Sequence, residues 1–193
     1  VDKEIDRFGN SQSGLFIVKM SGKDFIEDMM KRSVLGLMYL IHGMRNSGID
    51  VDIRLASIGI KADALDPSSI IHSSLEWDIQ KVIAEGVKPE VGLLIGQHYA
   101  LVGYGPLLML LMTCSTLQDA LKYGIHFQEL THLLGHLGLV HSQNYLALTY
   151  TPIDLETEMG LLRAQAEISG TYKFLQDIYK MMGLSIPNIR VEL

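Results

Sequence analysis

Only one cysteine, Cys114, stands among the 193 residues, so neither an internal disulfide framework nor a multi-thiolate zinc site can be assembled from this chain. A reducing compartment suits it, and a cytoplasmic location is expected. Positive charge is scarce too: 16 Lys plus Arg against 22 Asp plus Glu leave a net charge of -6. The nearest thing to a basic run is Lys31-Arg32, and nowhere do Lys or Arg interleave with aromatics as they do along a single-strand groove. Such a chain repels a phosphate backbone, so nucleic acid is not expected as a direct partner of this segment. The first ten residues carry Asp2, Glu4 and Asp6 where a secretory signal would be basic and then apolar. The chain starts on Val1 and ends without a polar tail, and a cut between two domains is expected there.

A long uninterrupted hydrophobic run is also missing. The most apolar stretch, Val91 to Met112, contains Gln97, His98, four glycines and Pro106, which suits a buried helix, a turn and a second helix better than a membrane span. Enzyme signatures are lacking as well: there is no GxSxG, HExxH, P-loop or paired CxxC. Gly103-Tyr104-Gly105 lacks the third glycine and the preceding strand of a dinucleotide site.

What is present is apolar: 48% of residues are hydrophobic and 20% charged, enough to bury one sizeable core, so residues 1–193 are expected to form a single domain. Ser21 with Asp24, then Phe25, Met29, Leu37, Leu40, Ile41 and Met44, predict one long helix ending at Gly48. A short helix is expected over Asp52 to Ile58, followed by a serine-rich loop after Asp66-Pro67. Ser73 with Glu76 forms a capping-box pattern before the stripe Leu75, Ile79, Val82 and Ile83. Further helices open at Pro89 and at Gly105-Pro106, and Ser115 with Gln118 suggests another capping box before Leu117, Ala120, Leu121 and Ile125. The period then changes to two: Leu137 to His141, a turn at Ser142-Gln143-Asn144, and Tyr145 to Tyr150 predict a hairpin. Thr151-Pro152 with Asp154, Glu156 and Glu158 should start a long helix reaching about Met182, before Gly183. Ile189, Val191 and Leu193 describe a last strand, and Leu15 to Met20 a further one. The class is α+β: an N-terminal helical bundle, then a β-hairpin, a long helix and a final strand in a small, mostly antiparallel sheet.

His126, His132, His136 and His141 invite a metal site, yet the change of period puts His136 and His141 on opposite faces of a strand. Histidines at a pocket rim are expected instead, and no metal or cofactor. Asp154, Glu156 and Glu158 are accounted for by a helix N-terminus, and Cys114 by a buried, inert thiol.

Four segments, in order, resemble a known family. Gly48-Ile49-Asp50 with Leu55 to Ile60, Glu90 to Gly96, Tyr104 to Leu121, and Ile186 to Val191 are similar to the arabinose-binding-type N-terminal domain of one branch of AraC-family bacterial transcription regulators, a branch distinct from those with a cupin sensor. The likeness runs from about Leu37 to Leu193. The longer lead before Ser21 and Pro106 depart from the family's pattern. The resemblance implies a sensor that binds a small cytoplasmic effector, helps to form a homodimer, and biases an appended pair of helix-turn-helix motifs absent from this chain. It implies no catalysis, and it brings no ligand residues with it.

Candidate ligand contacts come from the residues themselves. Of ten methionines, Met29, Met30, Met38, Met44, Met109, Met112 and Met159 fall mostly on apolar helix faces. They fill a core, or they shape an adaptable pocket between bundle and sheet. In the second case His98, Tyr104, Tyr145 and Tyr150 give polar contacts, Met109 an apolar one, His136 lies at the rim, and a buried Arg163 meets the carboxylate of an apolar organic acid. Three readings follow: an effector-binding module, a dimerisation-only module, and a histidine-based metal-dependent enzyme.

Overall fold

The computed structural model describes residues 31–99, 101–141, 146–183 and 185. The strands expected at Leu15–Met20 and at the C-terminus, the part of the first helix before Lys31, and Tyr145 lie outside the described residues. The class is α+β as expected: the described residues form seven α-helices and two separate two-stranded antiparallel sheets.

The long first helix is not continuous. Lys31–Ser33 is a short strand (β1), and the helix begins at Leu35 (α1, Leu35–Asn46). β1 pairs with Ile70–His72 (β2), with Arg32 opposite Ile71. The cause is tertiary: Arg32 is buried, and its Nε donates to Glu76 Oε2 at 2.9 Å, 44 residues away. A helix through Arg32 would forgo that partner. After α1, Asp50 accepts from the Ile53 amide and starts α2 (Val51–Ser57).

Glu76 also explains why the expected capping box is not made. In α3 (Ser73–Ala84) the N-cap is His72, whose ring accepts from the Ser74 amide, and Ser73 is already the first helical residue. Glu76 faces inward, held by Arg32 and by Gln80 Nε2 at 3.0 Å. The next helix, α4, starts at Val91 and ends at Gln97, followed by a short turn at Leu101–Tyr104 and α5 (Gly105–Met112).

The expected cap of α6 (Leu117–His126) moves by one residue: Thr116, not Ser115, accepts from the Asp119 amide at 3.1 Å. The hairpin forms as expected from β3 (His136–His141) and β4 (Leu146–Thr151), with Leu137 opposite Tyr150 and Leu139 opposite Leu148. The last helix, α7 (Glu158–Met181), starts later than expected because Thr151 belongs to β4. Asp154 instead caps a turn by accepting from Glu156 and Thr157, and Thr157 accepts from the Gly160 amide at 3.1 Å. Gly183, at φ 67°, closes the helix in the left-handed conformation that suits glycine.

The core gathers Leu37, Leu40, Ile41 and Met44 of α1 with Val51, Leu55, Ile79, Ile83, Ile95, Leu162 and Ala166. Its tightest seam is α4 against the first half of α7. A Cβ at Gly92 would stand 2.3 Å from the Leu162 carbonyl oxygen, and one at Gly96 2.3 Å from that of Ala166. The two helices therefore touch backbone to backbone, which fixes the first half of α7 and leaves its second half to form another wall. Among the described residues, no helix is long and apolar enough to cross a membrane.

Candidate functional site

That other wall closes a cavity of about 250 Å³. α7 contributes Thr171, Phe174, Leu175 and Ile178, residues at helical spacing on one face, and Met182 lies just beyond. α6 contributes Ala120, Leu121, Gly124 and Ile125, again one face. Leu107, Leu111 and Met112 come from α5, Leu137 and Leu148 from one face of the hairpin, and Thr131 and Leu133 from the segment leading into β3. Met112 and Met182 are exposed and mark the mouth, whereas Tyr104 and Leu107 are buried at the inner end. No charged side chain among the described residues lines the cavity. Such a wall accepts apolar matter and offers a carboxylate no counter-ion.

Tyr104 joins this cavity to a buried polar cluster. Its ring centroid lies 4.0 Å from that of Phe174 on the cavity wall and 5.0 Å from that of His132. Its hydroxyl makes no hydrogen bond to any described residue. Burial first, and then the negative charge of Glu167, push that hydroxyl well above the usual tyrosine range, so it keeps its proton and acts as a donor. Beyond Tyr104, Arg163 and Glu167 form an ion pair one turn apart on α7. Arg163 also donates to the Tyr99 hydroxyl at 3.0 Å and to the His132 carbonyl at 3.3 Å. Burial outweighs Arg163 at Glu167 and pushes its carboxyl up to about 7. At Arg163 burial is again the largest single influence and opposes the charge, but Glu167, Tyr99, Tyr150 and Glu76 together hold the guanidinium above its ordinary value. His132 Nε2 stands 3.8 Å from Glu167 Oε2.

The model of the family described as the arabinose-binding domain of AraC transcription regulators, N-terminal, matches residues 48–178, well over half of the chain. The chain belongs to this family. At family level it is a ligand-sensing regulatory domain, a class without catalysis of its own. The matched span contains the cavity wall from Tyr104 to Ile178, with only Tyr179 and Met182 beyond it. No curated protein and no solved structure matches the chain.

Set in this AraC-type domain, the expected contact residues part company. Tyr104 lines the cavity. Met109 sits on the opposite face of α5, 72% exposed, because Leu107 and Leu111 take the inward positions. His98, at the end of α4, and His136, on β3, are exposed and do not line the cavity. Tyr150 is half-buried and packs beside Gly135, where an added Cβ would stand 2.4 Å from its ring. Arg163 is buried, but the carboxylate it meets is Glu167 of its own helix. Arg163 thus belongs to the polar cluster and Tyr150 lies beside it, and neither lines the cavity.

Other readings shift too. His132 is no rim residue: it is 1% exposed and sits among the rings of Tyr39, Tyr99 and Tyr104. Cys114 is half-buried on the cavity wall. Phe174, Thr171, Leu121 and Gly124 line the cavity without standing among the expected contacts, although the spacing of Ala120, Leu121, Gly124 and Ile125 is a visible signal in the sequence. Among the described residues no group of His, Cys, Asp or Glu is arranged to hold a metal ion.

Proposed function

We propose that this domain binds a small apolar effector in the cavity between α5, α6, the hairpin and the second half of α7, and passes its occupancy to an appended DNA-binding half. The observation that carries the reading is a cavity with no charged residue on its described wall, all but two of whose lining residues fall in the span matched to a ligand-sensing family. α7 suits transmission, since its first half is locked to α4 at Gly92 and Gly96 while its second half is cavity wall. An effector contacting Phe174 and Ile178 would bias where the end of the helix lies, and with it whatever follows in the regulator. An uncharged effector is favoured over the organic acid, because Arg163 is already engaged by Glu167. DNA is reached only through the appended half.

Native against denaturing mass spectrometry of the purified chain tests this directly. A stoichiometric small molecule retained only in the native spectrum, and lost from a Gly124→Leu variant, is the expected result. A ligand retained equally by the variant would place binding elsewhere. The homodimer reading rests on exposed apolar side chains such as Met109 on α5 and Leu94 on α4. Sedimentation of the chain as a strict monomer at high concentration would remove it.

A further inference from the structure

The cavity has two unlike ends. At one end its wall is Leu107, Leu133 and Leu137 with the ring of Tyr104, all buried, and the Tyr104 hydroxyl is itself sealed off. Thr131 stands among them with its hydroxyl engaged by the Gln128 carbonyl and the Leu133 amide, which leaves half-buried Thr171 against hydrocarbon. At the other end Met112, Ser115, Thr116 and Met182 line the same cavity and are exposed. Two helices connect these ends and give the same length. The rings of Tyr104 and Phe174 meet with centroids 4.0 Å apart, and from that contact α5 leads to Met112 and α7 to Met182. Each path gains about 12 Å at the helical rise. An extended chain of single bonds gains about 1.2 Å per bond, so that depth takes about ten carbons. A methylene group has about the bulk of a water, about 30 Å³ in the liquid, so the 250 Å³ of the cavity takes about eight. Length and volume agree because there is width for one chain and none to spare for a fused ring.

We infer that the effector is a linear aliphatic amphiphile of about eight to ten carbons, seated tail first against the Tyr104–Phe174 contact with an uncharged polar head at the Ser115–Thr116 rim. This rests on the effector cavity proposed above and adds to it a shape, a length and a direction. The direction follows from the two ends. A polar head carried to the closed end exchanges its water for at most the Thr171 hydroxyl, whereas at the rim it keeps its water beside Ser115 and Thr116. No charged side chain among the described residues lines the rim, so an uncharged head fits it.

The test is a displacement assay with the 193-residue chain, in which 1-alkanols compete with the neutral fluorescent dye N-phenyl-1-naphthylamine. From 1-butanol to 1-octanol the affinity is expected to rise about fourfold per methylene and then to level off near 1-decanol, with 1-dodecanol no tighter because its extra carbons stay in water. 1,2-Decanediol, with both hydroxyls at one end, is expected to bind about tenfold more tightly than its isomer 1,10-decanediol, which must bury one of them at the closed end. A rise that keeps the same step through 1-dodecanol, or a plateau before 1-octanol, would overturn the length. Equal affinity for the two diols would overturn the direction, and dye that no alkanol displaces would overturn the amphiphile class. Dye that fails to bind, or that binds Gly124→Leu as well as wild type, would instead overturn the cavity reading on which the inference stands.

Discussion

The Arg32 guanidinium donates to the Leu133 carbonyl at 2.8 Å, joining residues 101 positions apart through the interior. One residue earlier, Arg163 holds the His132 carbonyl at 3.3 Å. Two buried arginines, each paired with a glutamate, thus pin the strip whose side chains Thr131 and Leu133 face the cavity. The strip carries no regular secondary structure between Thr131 and Gly135, so these bonds do for it what a sheet ladder would otherwise do.

Arg32→Met should therefore be costly. It leaves Glu76 in the core without its cation and strips the Leu133 carbonyl of its donor, a loss of about 3–5 kcal/mol. Adding Glu76→Leu removes the stranded charge and should restore more than half of that loss. Urea unfolding of the two variants measures both numbers, and a single substitution costing less than about 1 kcal/mol would show that the pair does not anchor the strip.

The carboxyl of Glu167, raised from 4.5 to about 7 chiefly by burial, makes a prediction about pH. Across that interval the folded protein holds the proton more tightly than the unfolded chain does. The stabilisation from this group is complete below about pH 4.5, declines as the pH climbs, and is gone once the pH has passed the folded value. Melting temperature should accordingly fall between about pH 5 and 7.5, and Glu167→Gln, which carries no titrating proton, should flatten that stretch. The free energy involved is on the order of 3 kcal/mol. His132, at 3.8 Å, is the neighbour to control for, so the profile should be repeated in His132→Phe. A slope unchanged in Glu167→Gln would assign the effect to another group.

How far the sequence foretold all this depended on the range over which each feature is determined. α6 and the end of α7 at Gly183 follow from residues a turn apart, and both stand close to where periodicity put them. The hairpin was legible for the same reason. Arg32, by contrast, reads locally as the exposed part of a helix. Only Glu76, 44 residues on, makes it a buried strand residue, and no local pattern announces that partner. The same glutamate looked like half of a capping box until burial claimed it. At the site, Tyr104 was legible as a polar group within an apolar run, but the inward face of α5 was not. Nearly every residue of that helix is apolar, so periodicity could not tell Met109 from Leu107 or Leu111.

The seam between α4 and α7 predicts two sharply placed lesions. Gly92→Ala and Gly96→Ala each put a methyl group 2.3 Å from a backbone carbonyl oxygen of α7, a contact that only separation of the helices can relieve. Each should destabilise the domain by about 1–3 kcal/mol or more in chemical denaturation, despite the better helix propensity of alanine. Should either variant prove as stable as wild type, α4 and α7 cannot be as close as described, and the rigid half of the proposed transmission helix would go with them.

Gly124 offers the opposite case, because it separates ligand binding from stability. It lies within α6 on the cavity wall, and an added Cβ would meet only Leu111 Cδ2, at an ordinary 3.7 Å. Gly124→Ala should thus gain about 0.5–1 kcal/mol from helix propensity alone, with little change in the space beside it. Gly124→Leu keeps the propensity gain and pushes a branched side chain into the cavity. Its melting temperature should stay at or above that of wild type while any cavity ligand is lost. Thermal unfolding and dye binding measured on the same samples decide the matter. A Leu variant that binds normally would exclude this space as the effector site, whereas one that loses both stability and binding would show that α6 is held by contacts the cavity does not reveal.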